Sequence, residues 1–326
     1  MTTRLFKLRP YARHMMWAGP NLSSLAAPLA DHGYGVGEAL DASGLQAMSS
    51  TLVDGEFDGR DLGEFYAEDP QRFVGSKVLP PMAFPILVKR LDAGEILSLQ
   101  VHPDDEQAKK MESAPNGKSE AWVILEASAD AAVYLGIKEG ISKEVVEAKI
   151  RSGRALEVVR RVPVAAGDII PVPARCIHAI GGGILLFEVQ QPADITYRLF
   201  DYDRKEQGIG LRELHLDQGL SVLDTELRPE KCQPQVIAEQ EGGRHLLLCE
   251  LEPFRIEALE LEGAFGLECD RLTVLQCQEG FVRLNRKGES LVLEQGETAV
   301  VAAGEGAIEL SGSGNPAKVL IAIPKN

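Results

Sequence analysis

Short apolar segments separated by turns fill the chain from Phe84 onward, and most alternate with the two-residue period of a β-strand. Residues 85–91 and 96–101 are the first such pair, joined by a turn at 92–94. Further strands are predicted at 122–125, 131–136, 184–190, 195–200, 245–251, 254–261, 272–276, 280–284, 290–293, 299–301 and 319–323. Many short strands at this spacing indicate a mainly β fold of the sandwich or jelly-roll type.

The period changes to that of a helix in one longer segment. Val145, Val146, Lys149 and Ile150 lie near one stripe, and Ser142 is a candidate N-cap. We therefore predict a helical insertion from about 142 to 161, before the strand pattern returns at Val162. Shorter helical segments are predicted at 61–66, 104–111 and 211–215.

The amino-acid composition limits which kinds of protein this chain can be. The 326 residues are 44% hydrophobic and 25% charged, as in ordinary globular proteins. The 49 acidic and 34 basic residues give a net charge of −15, which argues against partners such as nucleic acid or an anionic membrane. Five cysteines without C-x-x-C spacing, and no signal-like or membrane-length apolar segment, predict reduced thiols and a cytoplasmic protein.

Four side chains on or beside predicted strands could bind a metal ion. Gln100 and His102 are two apart, so both leave the same face of a strand. Glu120 begins the next apolar segment, and His178 lies in a later pair of short strands punctuated by glycine and proline. Two imidazoles, a carboxylate and an amide oxygen can hold one divalent cation and leave positions open. A single strand histidine is more often structural, so the prediction depends on the ordered set, which is the usual metal pattern of a cupin barrel.

Extended motifs around these residues resemble the type I phosphomannose isomerases, in their short bacterial form, and the likeness is strongest from about 80 to 220. The motifs are Gln100-Val101-His102-Pro103-Asp104-Asp105, Gly117-Lys118-Ser119-Glu120-Ala121-Trp122, residues 173–181, residues 196–204 and Arg212-Glu213-Leu214-His215. The resemblance implies a zinc enzyme that interconverts mannose 6-phosphate and fructose 6-phosphate. It also implies a cupin core with a small helical insertion and a second cupin-like domain. The implied ligands of one zinc ion per chain are Gln100, His102, Glu120 and His178.

The resemblance extends to other polar positions. Lys118, Asp194 and Arg198 match active-site residues of the family, and Lys89 and Glu188 match further motif positions. The substrate's phosphate needs cations or backbone amides, for which Lys89 and Arg175 are the candidates. The chain departs from the family pattern at Leu40, where an aromatic residue is usual, and at Ala174-Arg175, where Ser-Gly is common.

Aldose–ketose isomerisation moves a proton between adjacent carbons through an enediolate, so the site must stabilise an oxyanion and carry a proton. A histidine bound to metal cannot carry that proton, which leaves another residue as the base. Lys118 shares a strand face with Glu120 but could equally be a solvated turn lysine. Arg198 and Asp194 could assist catalysis or form a surface ion pair. Residues 201–204 are either an exposed loop or a structural hydrogen-bond cluster.

Two other functions compete with the isomerase. A non-catalytic, regulatory cupin would bind sugar phosphates without turnover, and a cupin oxygenase would use iron at a similar site. The paired Lys118 and Arg198 suit an anionic sugar better than an apolar oxygenase substrate. The predicted partner is a small sugar phosphate, with the chain acting as a monomer or homodimer.

The length suggests about two domains. Residues 296–303 weakly repeat the pattern of 167–174, but no histidine follows the second copy, and the chain from 246 onward has none. We predict a catalytic metal-binding domain over 1–235 and a cupin-like domain without metal ligands over 236–326.

Overall fold

The computed structural model describes residues 4–25, 33–75, 78–206, 210–304, 306–312 and 316–325. Strands dominate these residues, which confirms the predicted mainly β class. The strands up to residue 211 are β1 Leu5–Arg9, β2 Tyr11–His14, β3 Val36–Ala42, β4 Thr51–Val53, β5 Leu87–Ala93, β6 Leu99–Val101, β7 Glu120–Ala127, β8 Ala132–Ile137, β9 Val159–Pro163, β10 Ile169–Val172, β11 His178–Ile180, β12 Ile184–Gln190, β13 Tyr197–Phe200, β14 Lys205–Glu206 and β15 Gly210–Leu211.

The later strands and the α-helices complete the description. The strands are β16 Gln235–Gln240, β17 Gly243–Glu250, β18 Phe254–Leu261, β19 Ala264–Glu268, β20 Thr273–Glu279, β21 Phe281–Arg286, β22 Glu289–Glu294, β23 Thr298–Val301, β24 Ala307–Gly312 and β25 Ala317–Pro324. The helices are α1 Leu62–Glu68, α2 Pro70–Val74, α3 Asp105–Glu112, α4 Lys143–Arg151 and α5 Leu216–Val222. None of the described helices is long and apolar enough to cross a lipid bilayer.

The chain forms two compact units that alternate along the sequence. The central unit comprises Ala12–Ala39 and Arg90–Cys232, and the C-terminal unit comprises Met1–Tyr11, Leu40–Lys89 and Gln233–Asn326. The domains 1–235 and 236–326 remain a prediction, and the structure groups residues 1–11 and 40–89 with the C-terminal strands. Strand β1 explains part of this grouping, because it pairs with β23 near the other end of the chain.

The central unit contains a five-stranded sheet in the order β13-β6-β11-β8-β9. Strands β7, β10 and β12 belong to a second, six-stranded sheet in the order β10-β7-β12-β5-β3-β2. Apolar side chains from both sheets pack into one core, including Trp122 and Ile124 from β7 and Val133 and Leu135 from β8. This two-sheet arrangement buries the inner face of each strand and fixes which side chains point inward.

The C-terminal unit contains an eight-stranded sheet in the order β16-β17-β18-β25-β20-β23-β1-β4 and a four-stranded sheet in the order β19-β24-β21-β22. Its core includes Leu275, Val301, Leu310 and Ile321. The weak repeat in the sequence has a structural counterpart. Strands β10 and β23 each begin two residues after a glycine with a positive φ, 91° at Gly167 and 84° at Gly296.

Helix predictions were partly correct. Asp61 caps α1 and Asp104 caps α3, each by accepting a hydrogen bond from a backbone N–H three residues later. The insertion is shorter than the predicted 142–161, because α4 ends at Arg151, one 3-10 turn follows at Ala155–Glu157, and β9 already begins at Val159. The helix predicted at 211–215 was wrong, since α5 begins only at Leu216.

Candidate metal centre and active site

The four predicted metal ligands come from strands of the two sheets in the central unit. Gln100 lies on β6, His102 follows that strand directly, and His178 begins β11. The register pairs His178 with Gln100, so their side chains are cross-strand neighbours. Glu120 begins β7 in the other sheet.

Three of these side chains form a buried cluster. One potential ligand atom from each of His102, Glu120 and His178 lies within 4.8 Å of the others. Glu120 is central to it: Oε1 lies 3.3 Å from Nε2 of His178, and Oε2 lies 3.5 Å from Nε2 of His102. Gln100 joins the edge of the cluster, with Nε2 3.3 Å from Nε2 of His178.

Backbone carbonyls fix the orientation of both imidazoles. Nδ1 of His102 lies 2.7 Å from the carbonyl oxygen of Ile195, and Nδ1 of His178 lies 2.9 Å from that of Cys176. A carbonyl oxygen can only accept, so each Nδ1 carries the hydrogen and donates. Both Nε2 lone pairs therefore point into the cluster, where Nζ of Lys118 and Nε2 of Gln100 lie beside them, and this orientation supports histidine ligands in metal sites.

The protonation states also suit metal binding. Burial and the positive charge of Lys118 lower the pKa of His102 to about 3, so its imidazole is neutral at physiological pH. Burial by itself would raise the pKa of Glu120. The charge of Lys118, together with the two neighbouring histidines, outweighs burial and holds that pKa well below its usual value.

A divalent cation fits this donor set. Two neutral imidazole nitrogens and an ionised carboxylate converge, with an amide side chain beside them. The buried Oε2 of Glu120 has no hydrogen bond from any described residue, and Nζ of Lys118 lies 3.0 Å away. A buried carboxylate oxygen is costly unless a cation compensates it, and Lys118 already supplies one, so it is the converging donors that indicate a metal.

Lys118 belongs to the same buried cluster. Its side chain is 6% exposed, and Nζ lies 3.2 Å from Nε2 of His102. It is therefore a buried side chain facing the cluster and not a solvated turn lysine.

A network that sequence reasoning missed holds the segment carrying Lys118 and Glu120. Oδ1 of Asp105 accepts hydrogen bonds from the Gly117 N–H at 2.7 Å and from Nε2 of Gln191 at 2.9 Å. The amide of Gln191 then accepts from the Ser119 N–H at 2.9 Å. No local sequence pattern marks Gln191, because its partners come from distant parts of the chain.

Gly117 is needed where this segment passes the start of α3. A Cβ at this position would lie 2.4 Å from the backbone carbon of Asp104 and 2.6 Å from the carbonyl oxygen of Pro103. Real side chains do not approach backbone atoms so closely. The glycine therefore permits a close approach that brings Lys118 and Glu120 to the cluster.

The two predicted polar residues near β13 differ in their surroundings. Arg198 lies on β13 and pairs in register with Gln100, which places it beside the cluster. Asp194 is exposed in the preceding loop, and it forms no ion pair with Arg198 among the residues described.

The predicted substrate-binding residues are spread more widely. Arg175 is 40% exposed, and its guanidinium lies 3.4 Å from Asp224 and 3.9 Å from Asp104. Its backbone has a φ of 71° and donates a hydrogen bond to the carbonyl oxygen of His102. Glu188 is buried on β12, and Lys89 is buried on β5 within the C-terminal unit.

Comparison with known proteins supports an enzyme at this site. Residues 5–134 match the family model described as "Phosphomannose isomerase type I, catalytic domain". The mannose-6-phosphate isomerase ManA of Bacillus subtilis is 38% identical over 236 residues, which cover 71% of each chain. The mannose-6-phosphate isomerase of Streptococcus mutans is 39% identical over 219 residues, which cover 67% of each chain.

A solved structure agrees over nearly the whole chain. The crystal structure of the mannose 6-phosphate isomerase from Bacillus subtilis superposes with a TM-score of 0.89 at 25% identity, and covers 98% of this chain and 99% of that one. The match confirms the predicted cupin-type fold class. On the matched sequence and structure together, the chain belongs to the type I phosphomannose isomerase family.

Proposed function

We propose that this protein interconverts mannose 6-phosphate and fructose 6-phosphate, using one zinc ion per chain. The observation that carries the proposal is the buried cluster of His102, Glu120 and His178 with Lys118 beside it, in a chain of this family. The relatives bear enzyme names, which supports catalysis over the non-catalytic, regulatory alternative.

Gln100, His102, Glu120 and His178 would hold the metal. Their nitrogen and oxygen donors are typical of zinc, with one ionised carboxylate leaving the ion about one net positive charge. The ion, when bound, supplies Lewis-acid polarisation of the sugar oxygens. The carbonyl partners of both histidines keep Nε2 pointing inward whichever divalent cation is present.

Lys118 is the proposed proton carrier. Both cluster histidines would be ligands, and Glu120 would be a third, so Lys118 is the remaining base within the buried cluster. With its amine in the neutral form, it would take the proton from C2 of the aldose and return it to C1, while the hydroxyl hydrogen passes from O2 to O1. No atom is gained or lost in this sequence.

Arg198 would stabilise the negative charge of the enediolate. It is the cross-strand neighbour of Gln100, and its buried Nε has no hydrogen-bond partner among the described residues. A guanidinium with a free donor can bind an oxyanion that develops during reaction. Asp194, exposed at the entrance to β13, would contact a sugar hydroxyl.

The remaining polar residues would bind the rest of the substrate. Arg175, partly exposed beside the backbone of His102, is the proposed phosphate ligand in the central unit. Lys89 is the other candidate for a phosphate ligand, and Glu188 would be a hydroxyl acceptor. We propose further that the protein acts in the cytoplasm as a monomer or homodimer, with catalysis in a domain of residues 1–235 and a cupin-like domain of 236–326 without metal.

A coupled assay tests the reaction and the metal together. Mannose 6-phosphate is supplied, fructose 6-phosphate formation is followed, and the enzyme is treated with a chelator and then with zinc. We expect turnover that the chelator removes and zinc restores, with about one zinc ion per chain by elemental analysis. A folded, zinc-loaded protein without turnover would contradict the isomerase proposal.

A further inference from the structure

The loop after β13 carries a buried charge cluster outside the metal centre. Asp201 is 5% exposed, and two arginines surround it, Arg212 at 11% and Arg204 at 14% exposed. Nε of Arg212 donates to Oδ2 of Asp201 at 2.8 Å, and its Nη2 donates to Oδ1. Arg212 therefore holds Asp201 through a two-bond fork, the strongest geometry for such a pair.

Arg204 closes the other side of the cluster. Its Nη2 also donates to Oδ1 of Asp201, and its Nη1 donates to the carbonyl oxygen of Ile96. The carboxylate is thus fully engaged, and residues on both sides of the loop are tied to the strand region before β6. The cluster is a structural hydrogen-bond arrangement rather than an exposed loop.

The segment that follows Arg212 forms hydrogen bonds with Arg198. The carbonyl oxygen of Glu213 accepts a hydrogen bond from Nη1 of Arg198 at 2.9 Å. His215 makes two more contacts with the Arg198 backbone: its N–H donates to the carbonyl oxygen at 2.8 Å, and its Nδ1 accepts from the N–H at 3.2 Å. The guanidinium is therefore positioned by a carbonyl one residue after Arg212.

We propose that Arg212, anchored on Asp201, is a positioning residue that orients the guanidinium of Arg198 for the isomerisation. This inference rests on the proposed function, because Arg198 acts on the enediolate there. The Asp201–Arg212 pair fixes the extended path of residues 212–213, and that path sets the direction of the Glu213 carbonyl. Without the fork, Arg198 keeps its charge but loses its orientation.

The test is a double-variant cycle on kcat with Arg212→Gln and Arg198→Ala. Arg212→Gln is expected to lower kcat by about tenfold to a hundredfold, because a displacement of about 1 Å in a catalytic group costs that much. In the Arg198→Ala background the same change is expected to lower kcat less than about twofold, since the group it positions is already gone. Residual turnover is followed by NMR over hours, which reaches low rates.

Two further variants show whether a loss of kcat comes from altered geometry, from altered charge or from misfolding. Arg212→Lys keeps the charge but cannot form the fork, so it is expected to lose most of the activity that Arg212→Gln loses. Asp201→Asn removes the anchor with little change of shape, and it carries the test if Arg212→Gln does not fold. Bound zinc is expected to stay at the wild-type level in each variant.

A matched control removes an exposed pair in the same unit. Arg151 lies 2.7 Å from Asp217, with the two side chains 50% and 85% exposed, and Arg151→Gln is expected to leave kcat unchanged. Equal losses from Arg212→Gln in both backgrounds, or full rescue by lysine, would overturn the positioning role alone. No turnover by the wild-type protein would overturn the proposed function, and the positioning role with it.

Discussion

Each unit of the protein packs histidine against a buried glutamate, and the surroundings of the two glutamates differ. In the central unit, Glu120 faces Nε2 of two imidazoles, and Nδ1 of each imidazole donates to a backbone carbonyl oxygen. In the C-terminal unit, Nε2 of His245 lies 2.7 Å from Oε2 of Glu257, and Nε of Arg255 lies 2.7 Å from Oε1.

The two glutamates differ in the groups that face their carboxylate oxygens. Glu257 is 1% exposed, with one histidine nitrogen and one arginine nitrogen each 2.7 Å from one of its oxygens. Glu120 also has a cationic side chain beside it, Lys118 at 3.0 Å, but it faces two imidazole Nε2 atoms rather than one. Two converging unprotonated imidazoles with a carboxylate offer a binding site for a cation, which a single histidine does not.

The largest expected effect comes from replacing a histidine of the metal cluster by alanine, and the matching histidine of the C-terminal unit gives the control. His178→Ala is expected to remove the bound metal and lower turnover more than about a thousandfold, because a ligand is lost. His245→Ala is expected to keep metal and turnover. Elemental analysis and the coupled assay measure both. Loss of metal in the His245 variant would contradict the contrast between the units.

Lys118→Ala is expected to have the next largest effect. Turnover should fall by about a hundredfold to ten-thousandfold through loss of the proton carrier, with metal retained. Lys231→Ala is the matched control: it removes a partly buried lysine that lies 2.6 Å from Asp168 in the same unit, and turnover should not change. Metal loss in the Lys118 variant would make that lysine structural.

A smaller loss is expected from Gly117→Ala. The added Cβ would force the backbone near Asp104 to move, which should lower turnover about tenfold and the free energy of unfolding by about 1–3 kcal/mol. Gly266→Ala serves as the control, because its Cβ would meet only the Ala307 side chain at 3.9 Å. Equal behaviour of the two variants in kinetics and thermal unfolding would contradict the close-approach argument.

The smallest effect on catalysis is expected from Glu257→Gln. Loss of charge from this buried carboxylate should lower the free energy of unfolding by about 1–3 kcal/mol, as measured by chemical denaturation. Turnover per folded molecule should stay at the wild-type value. A fall in turnover would show that the C-terminal pair contributes to the reaction.

Local patterns predicted the strands that carry the cluster, because strand alternation is a short-range property, and the usual metal pattern of a cupin selected the residues. Gln100 and His102 leave one face of a strand, and apolar segments around Glu120 and His178 predicted the strands that bring these residues together. The supporting partners could not be predicted this way. Gln191 meets Ser119 and Asp105 only through the tertiary fold.

The incorrect prediction of a helix at 211–215 also has its cause in contacts between residues that are distant in sequence. Arg212, Glu213 and Leu214 have reasonable helix propensity, which predicted a helix there. In the structure Arg212 binds Asp201 and the Glu213 carbonyl accepts from Arg198. These long-range bonds favour an extended path, so tertiary contacts override the local preference, and the helix begins at Leu216.

The pairing of β1 with β23 affects how the chain folds during its synthesis. Leu5 pairs with Val301, so β1 waits for roughly 300 more residues before β23 is made, or about 15–60 s at a synthesis rate of about 5–20 residues per second. During that interval β1 can pair with β4 but not with β23, and the core that buries Leu5 is still incomplete. Strand β1 therefore gives a nascent-chain chaperone a long interval in which to bind.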